Sequence, residues 1–177
     1  MQKTYNHIEG IQVIPQWSEE KPPLYRYKLE IKLQPGSKKG KTACVILQNP
    51  SVADEVQADK SIQFMEKVVF LHENFRNEFD GVRRLIIVNL YAWRQTKDFE
   101  ESEDKIGKEN NKAIEEAMNE SSIIIIGWGK TTRFQGQREF VYGLLKQMKG
   151  KIIYKTKTHP ARAQYDGFIQ PYRRSNI

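Results

Sequence analysis

The chain has 177 residues, 29 Lys and Arg against 22 Asp and Glu, a net charge of +7, one cysteine and a mean hydropathy of −0.69. That composition suits one domain over residues 1–177 with a substantial core, and a single cysteine excludes an internal disulfide. No apolar run is long enough to span a bilayer, and Met1-Gln2-Lys3-Thr4-Tyr5-Asn6 lacks a signal-peptide core, so a cytoplasmic protein with no membrane partner is expected.

In chain order, residues 1–23 read as a loosely structured segment, because Pro15, Pro22 and Pro23 interrupt any regular pattern. Residues 24–33 then alternate apolar and polar side chains, as a half-exposed strand does, and Pro35-Gly36-Ser37-Lys38-Lys39-Gly40 reads as a turn. This strand is expected to lie antiparallel, as an edge strand or in a hairpin with the next one.

Four apolar, β-branched runs follow: 43–47, 85–88, 123–126 and 151–154. Strands that do not alternate are buried on both faces, which is the mark of a parallel sheet covered by helices. The intervening segments supply the helices. One should start near Asp59, with Asp59 or Ser61 as its cap, and present Phe64, Val68, Leu71 and Phe75 on one face. A second runs from about Lys108 to Asn119 and buries Ala113, Ile114, Ala117 and Met118. A third presents Phe140, Val141, Leu144, Leu145 and Met148. The expected fold is three-layer α/β/α around a four-stranded parallel sheet, with the antiparallel N-terminal addition and a peripheral tail over residues 166–177. Cys44 lies within the first run and reads as a small core residue.

Each run ends in a polar motif, and open α/β sheets place ligands at the carboxyl ends of their strands. Asn49-Pro50-Ser51 follows the first run; the proline fixes the exit of the chain and holds the Asn49 amide at the mouth of a site, with Asp54 and Asp59 as nearby carboxylates. Asn89 ends the second run; its amide could pair with the edge of a base or bridge two loops, and Tyr91 and Trp93 beyond it could stack on a base or join the core. Gly127-Trp128-Gly129-Lys130 ends the third; it lets backbone approach a ligand, with Lys130 near a phosphate, but its spacing is not that of a phosphate-binding P-loop. His159-Pro160 follows the fourth, where a histidine could donate to a developing anion. His7 and His72 have no comparable context, and no spacing of Cys and His suggests a metal; no cofactor is expected.

Charge is segregated: residues 97–120 hold nine acids against four lysines, and residues 121–177 hold eleven Lys and Arg against two acids. A basic face of this kind attracts phosphates, so a nucleic acid or nucleotide is the expected partner.

Asn49-Pro50-Ser51 with Ala53, Asp54 and Asp59, then Asn89-Leu90-Tyr91-Ala92, Gly107 with Asn110, Trp128-Gly129 and His159-Pro160, resemble a bacterial and phage family of unknown function, domain of unknown function 1643. The same motifs are distantly similar to the uracil-DNA glycosylase superfamily. That resemblance implies that Gln48-Asn49-Pro50 is a water-activating loop, that Asn89 reads the base, that Trp128-Gly129 lines the site, and that His159 stabilises the departing base. Ser51 stands where uracil-specific members carry an aromatic, which implies room for a larger base. Ala161-Arg162-Ala163 departs from the usual serine-proline-leucine continuation, and Arg162 is left as a phosphate contact.

Three functions remain open from the sequence. An N-glycosidic hydrolase would use Asn49, Asp54 or Asp59, and His159 on a base in DNA or a nucleotide. A binding module would use the same fold without catalysis. A phage or bacterial protein-interaction factor would act through a protein partner, by way of the acidic helix.

Overall fold

The structure, a computed structural model, describes residues 4–36 and 39–176. Seven strands form one sheet: β1 (Ile11–Trp17), β2 (Arg26–Leu33), β3 (Lys41–Leu47), β4 (Val82–Asn89), β5 (Ile123–Ile126), β6 (Ile152–Thr156) and β7 (Ile169–Pro171). Their order is β1-β2-β4-β3-β5-β6-β7. The sheet is mixed, and larger than the expected four strands. The four apolar runs are adjacent and mutually parallel, while β2 and β7 add antiparallel at either side of them and β1 pairs antiparallel with β2 at the outer edge.

Side chains alternate between two cores. Ala43, Val45, Leu85, Ile87, Ile123 and Ile125 face α1 (Lys60–Phe70) and α2 (Arg76–Phe79). Cys44, Ile46, Ile86, Val88, Ile124 and Ile126 face α3 (Asn110–Glu120) and α4 (Gln135–Gln147). Each such Ile or Val removed from water contributes about 1.5–3 kcal/mol, which is why these runs tolerate no polar residue until the strand ends. Cys44 is fully enclosed and burial raises its thiol pKa, as fits a packing residue.

Several expectations are corrected. The segment over residues 1–23 contains β1, whose Pro15 is tolerated because β1 is an edge strand. The strand after it pairs with β1 and β4, and makes no hairpin with β3. Of the expected turn over 35–40, Ser37 and Lys38 lie outside the described residues. The tail over 166–177 is also part of the fold: Phe168 is buried and β7 closes the far edge beside β6. Asp59 caps α1 as expected, its Oδ1 accepting the Ile62 N–H at 2.9 Å. Leu71 is 60% exposed rather than part of that helix's apolar face, because α1 stops at Phe70 and a 3-10 turn over Glu73–Phe75 turns Phe75 back into the core. The α3 face is as read: Ala113, Ile114, Ala117 and Met118 are all buried. In α4, Val141 and Leu145 are buried, with Phe140, Leu144 and Met148 packed around them.

Candidate functional site

After β3 the chain leads to α1 on one face, and after β5 it leads to α4 on the other. Two adjacent parallel strands whose exits diverge leave a crevice at their carboxyl ends. Here that crevice is a cleft of about 1030 Å³, lined among others by Gln48, Asn49, Asn89, Trp128 and His159. All four strand-end motifs therefore converge. Gln48 ties the crevice walls together, its Nε2 donating to the Trp128 carbonyl at 2.9 Å. Gly127 allows β5 to lie this close to β3, since a Cβ there would stand 2.7 Å from Val45 and 2.8 Å from Leu47 side-chain carbons.

Asn89 forms the floor. It is fully buried, and among the described residues neither atom of its side-chain amide has a hydrogen-bond partner. Only its backbone is engaged, its carbonyl accepting from Asn110 Nδ2 at 3.0 Å; the same Asn110 nitrogen reaches the Leu90 carbonyl. Asn110 thus fixes the end of β4 to α3 and leaves the Asn89 side chain unused. An unsatisfied buried amide costs about 1–3 kcal/mol, and such a group asks for a ligand or ordered water as partner.

Asn49 is different. Its Nδ2 donates to the Gln95 carbonyl at 2.7 Å and to the Pro50 carbonyl at 3.3 Å, so its oxygen is the atom left to accept from a bound molecule. Of the two candidate carboxylates, Asp59 lines the cleft and Asp54 does not. Asp54 Oδ1 instead accepts the backbone N–H groups of Val56 and Gln57, closing its own turn. Ser51 lines the cleft and shares a hydrogen bond of 3.2 Å with Thr96. Trp128 is buried and contributes to the wall, while Lys130 and Arg162 are exposed at the rim.

Tyr91 is not brought to the site. It packs with Phe99 and Phe134 on the α4 side, and its hydroxyl contacts Glu101 Oε2 at 3.3 Å beside a separate cavity of about 390 Å³. Trp93 likewise stacks edge-on against Tyr25 away from the cleft.

His159 lines the cleft, but it also has a local role that its sequence context did not suggest. Its Nδ1 accepts the Ala161 N–H at 3.2 Å, capping a 3-10 turn over Pro160–Arg162. A neutral ring that accepts at Nδ1 carries its proton at Nε2. Burial pushes its pKa down to about 4, with Arg162 adding to the effect and Asp59 opposing it. The ring is therefore a neutral Nε2–H donor at physiological pH. Gly129 positions it: φ is +72°, and a Cβ there would lie 2.4 Å from the His159 backbone nitrogen. Gly129→Ala is expected to displace the His159 loop and to cost ligand affinity at least about tenfold with modest loss of stability. Titration of wild type and variant with a bound ligand checks this; unchanged affinity would deny the packing its importance.

Two contributors were missed by sequence reasoning. The first is Arg26, which is 1% exposed and lines the cleft from β2. Strict alternation would place it beside Lys28 and Glu30, on the opposite face from Leu29 and Ile31. A register slip intervenes: Gln16 pairs with Lys28 and Trp17 with Arg26, leaving Tyr27 unpaired. Tyr27 accordingly packs with Ala113 of α3, and Arg26 is turned to the α1 side, where its Nη1 donates to the Ala53 carbonyl at 2.7 Å. Re-aiming a side chain is a common use of such a bulge. Burial lowers its pKa to about 10, which leaves it charged at neutral pH.

The second is the N-terminal strap. Thr4 and Tyr5 line the cleft, and Tyr5 bridges to Ala58. His7 pins this strap, with Nδ1 2.5 Å from Glu66 Oε1 and Nε2 2.8 Å from the Asp54 carbonyl, while Ile8 N–H donates to Glu66 Oε2. Both ring nitrogens face acceptors, an arrangement that favours the imidazolium form. Burial opposes that charge, but the bonds to Glu66 and to the Asp54 carbonyl outweigh it and hold the pKa above the ordinary 6.5. The stabilisation is fully present below about 6.5 and is lost as pH rises through the raised value. Thermal melts between pH 5 and pH 9, about two units around the reference value, should show this loss in wild type and a weaker one in His7→Gln. Parallel profiles would show that the pair carries no linkage.

Among the described residues there is no cluster of three or more His, Cys, Asp or Glu side chains placed to hold a metal. Among them, too, no helix is long and apolar enough to cross a membrane. The model of a family described as "Protein of unknown function (DUF1643)" matches residues 26–163. No curated protein and no solved structure matches the chain.

Proposed function

The chain belongs to the DUF1643 family, and for its cleft we propose recognition of a nucleobase followed by hydrolysis of its N-glycosidic bond. The observation that carries this reading is the unpartnered Asn89 amide on the cleft floor, a paired donor and acceptor of the kind that matches the edge of a base. His159 supports it, because a neutral Nε2–H donor suits a leaving group that departs as an anion. The distant likeness of the motifs to uracil-DNA glycosylases points the same way.

In this scheme the free oxygen of Asn49 and the Asp59 carboxylate hold a water molecule. Its oxygen bonds to the anomeric carbon as the carbon–nitrogen bond breaks, and the bonding pair leaves with the base. The water's proton passes to Asp59. The base anion is held by His159 and Asn89 until it takes a proton from solvent. Cys44 takes no part, being enclosed in the core. Mass spectrometry of bases released from nucleotides and oligonucleotides, with normal and modified bases, tests the reaction. Free base should accumulate with wild type and not with Asn49→Ala; release unaffected by that change would exclude this role for Asn49.

One observation favours a second reading, binding without cleavage. Asp54 is committed to its own turn, and Asp59 spends one oxygen capping α1, so the carboxylate available as base is already engaged. A pure binding module would hold a nucleotide or nucleic acid in a salt-sensitive manner and release no base.

A further inference from the structure

We propose that Arg26 forms a phosphate subsite on the cleft floor, so that the ligand is a mononucleotide bearing a phosphate monoester rather than a nucleic-acid strand. The assignment rests on the base-binding reading above and specifies its substrate class. Arg26 is 1% exposed, and its Nε has no hydrogen-bond partner among the described residues. The Ala53 carbonyl is the one hydrogen-bond acceptor that its side chain reaches among the described residues. Among those residues no carboxylate stands within ion-pairing distance of it. The carboxylates of Asp59 and Asp54 favour this charge only from beyond bonding distance. A buried guanidinium with no anion bonded to it is unfavourable, whereas one meeting a phosphate forms two parallel charge-assisted bonds. The bulge at Tyr27 turns this side chain into the cleft, so the charge is directed there by the backbone.

Depth decides between the two sources of phosphate. A backbone phosphodiester carries chain on both sides and must stay near the rim, where Lys60, Lys130 and Arg162 are exposed. A terminal phosphate has no such continuation and can reach the floor. Arg26 lies on β2, the neighbour of β4, which ends in Asn89, so the phosphate and base subsites stand on adjacent strands. The rim lysines and arginine then serve to attract the anion rather than to hold it.

Isothermal titration of the full chain decides the matter, using the five common nucleosides, their 5′-monophosphates, ribose 5-phosphate and a single-stranded DNA dodecamer as probes. At least one monophosphate should bind about tenfold or more tightly than its nucleoside. Arg26→Met should abolish that increment, read as the ratio of monophosphate to nucleoside affinity in the same protein. If circular dichroism shows that Arg26→Met does not fold, Arg26→Lys takes its place; it keeps the charge, loses the fork and should lose most of the increment. Equal affinity for nucleoside and monophosphate overturns the phosphate subsite while leaving base recognition intact. An increment that survives both substitutions also overturns it. Ribose 5-phosphate binding with no preference for any base supports the subsite and overturns the base-binding reading. Binding of the dodecamer alone, or of no probe, overturns the mononucleotide assignment.

Discussion

His159→Ala is expected to slow base release by about a hundredfold or more, roughly 2.7 kcal/mol of transition-state stabilisation, while the protein remains folded. The donor is the Nε2–H of a neutral ring, its tautomer fixed by the Ala161 N–H bonded to Nδ1. Because that ring is already neutral, the rate should not acquire a His159-dependent limb near pH 6.5; protonation of this ring enters only as pH approaches about 4. The stability consequence has the opposite sign to that of His7. Below about 6.5 the unfolded chain takes up a proton at His159 that the native ring refuses until about 4, so stability falls across that window. His159→Ala should therefore be slower at neutral pH and less acid-sensitive in its melting. Rates of base release from pH 4 to pH 9, about the span between the lowered value and the alkaline range, check the first part, and melts over the acid half check the second. A wild-type rate falling sharply as pH rises through about 6.5, and losing that limb in the variant, would mean that the ring works as an imidazolium and would sink the proposed role.

Asn89→Leu separates binding from folding. The native amide makes no side-chain hydrogen bond, so replacing it by an apolar group of similar volume sacrifices none. Stability should stay within about 1 kcal/mol of wild type or rise, since a desolvated polar group has been removed. Ligand affinity should fall by about a hundredfold, because a bound base would then lose a donor and an acceptor against the cleft floor. Denaturant melts and titrations of the same preparation give both quantities. A loss of several kcal/mol in stability would show that the amide serves the fold, and unchanged affinity would remove it from recognition.

How far the sequence was legible follows from which signals are local. The four buried runs were readable because enclosure on both faces abolishes alternation, and each strand end was readable because the first polar residue marks where enclosure stops. Asn89 and Asn49 were located in this way. β1 was missed because Pro15 argues against a strand, except at an edge where no ladder bond is lost, and edge position is set by the fold. β7 has only three residues and leans on β6. Asp54 and Asp59 lie five residues apart in one loop, and only the closed turn over Val56 and Gln57 decides which of them faces the cleft. His7 was passed over because its partner Glu66 is 59 positions away. Tyr91 was assigned to the site because it lies two residues beyond Asn89, yet its ring settles among Phe99 and Phe134 on the far face.

The bulge beside Arg26 has a consequence for comparing relatives. The residue reaches the cleft through the count of positions between it and Leu29, not through its identity alone. A relative that keeps the arginine but lacks the extra residue would present that charge to the α3 side, among Lys28 and Glu30, and its cleft floor would be uncharged. Conversely, a relative with another residue at this point and a bulge one step away could still deliver a cation inward. Membership of the family by motif and possession of the anion-holding floor are thus separable traits, and a single insertion or deletion in β2 would be enough to part them.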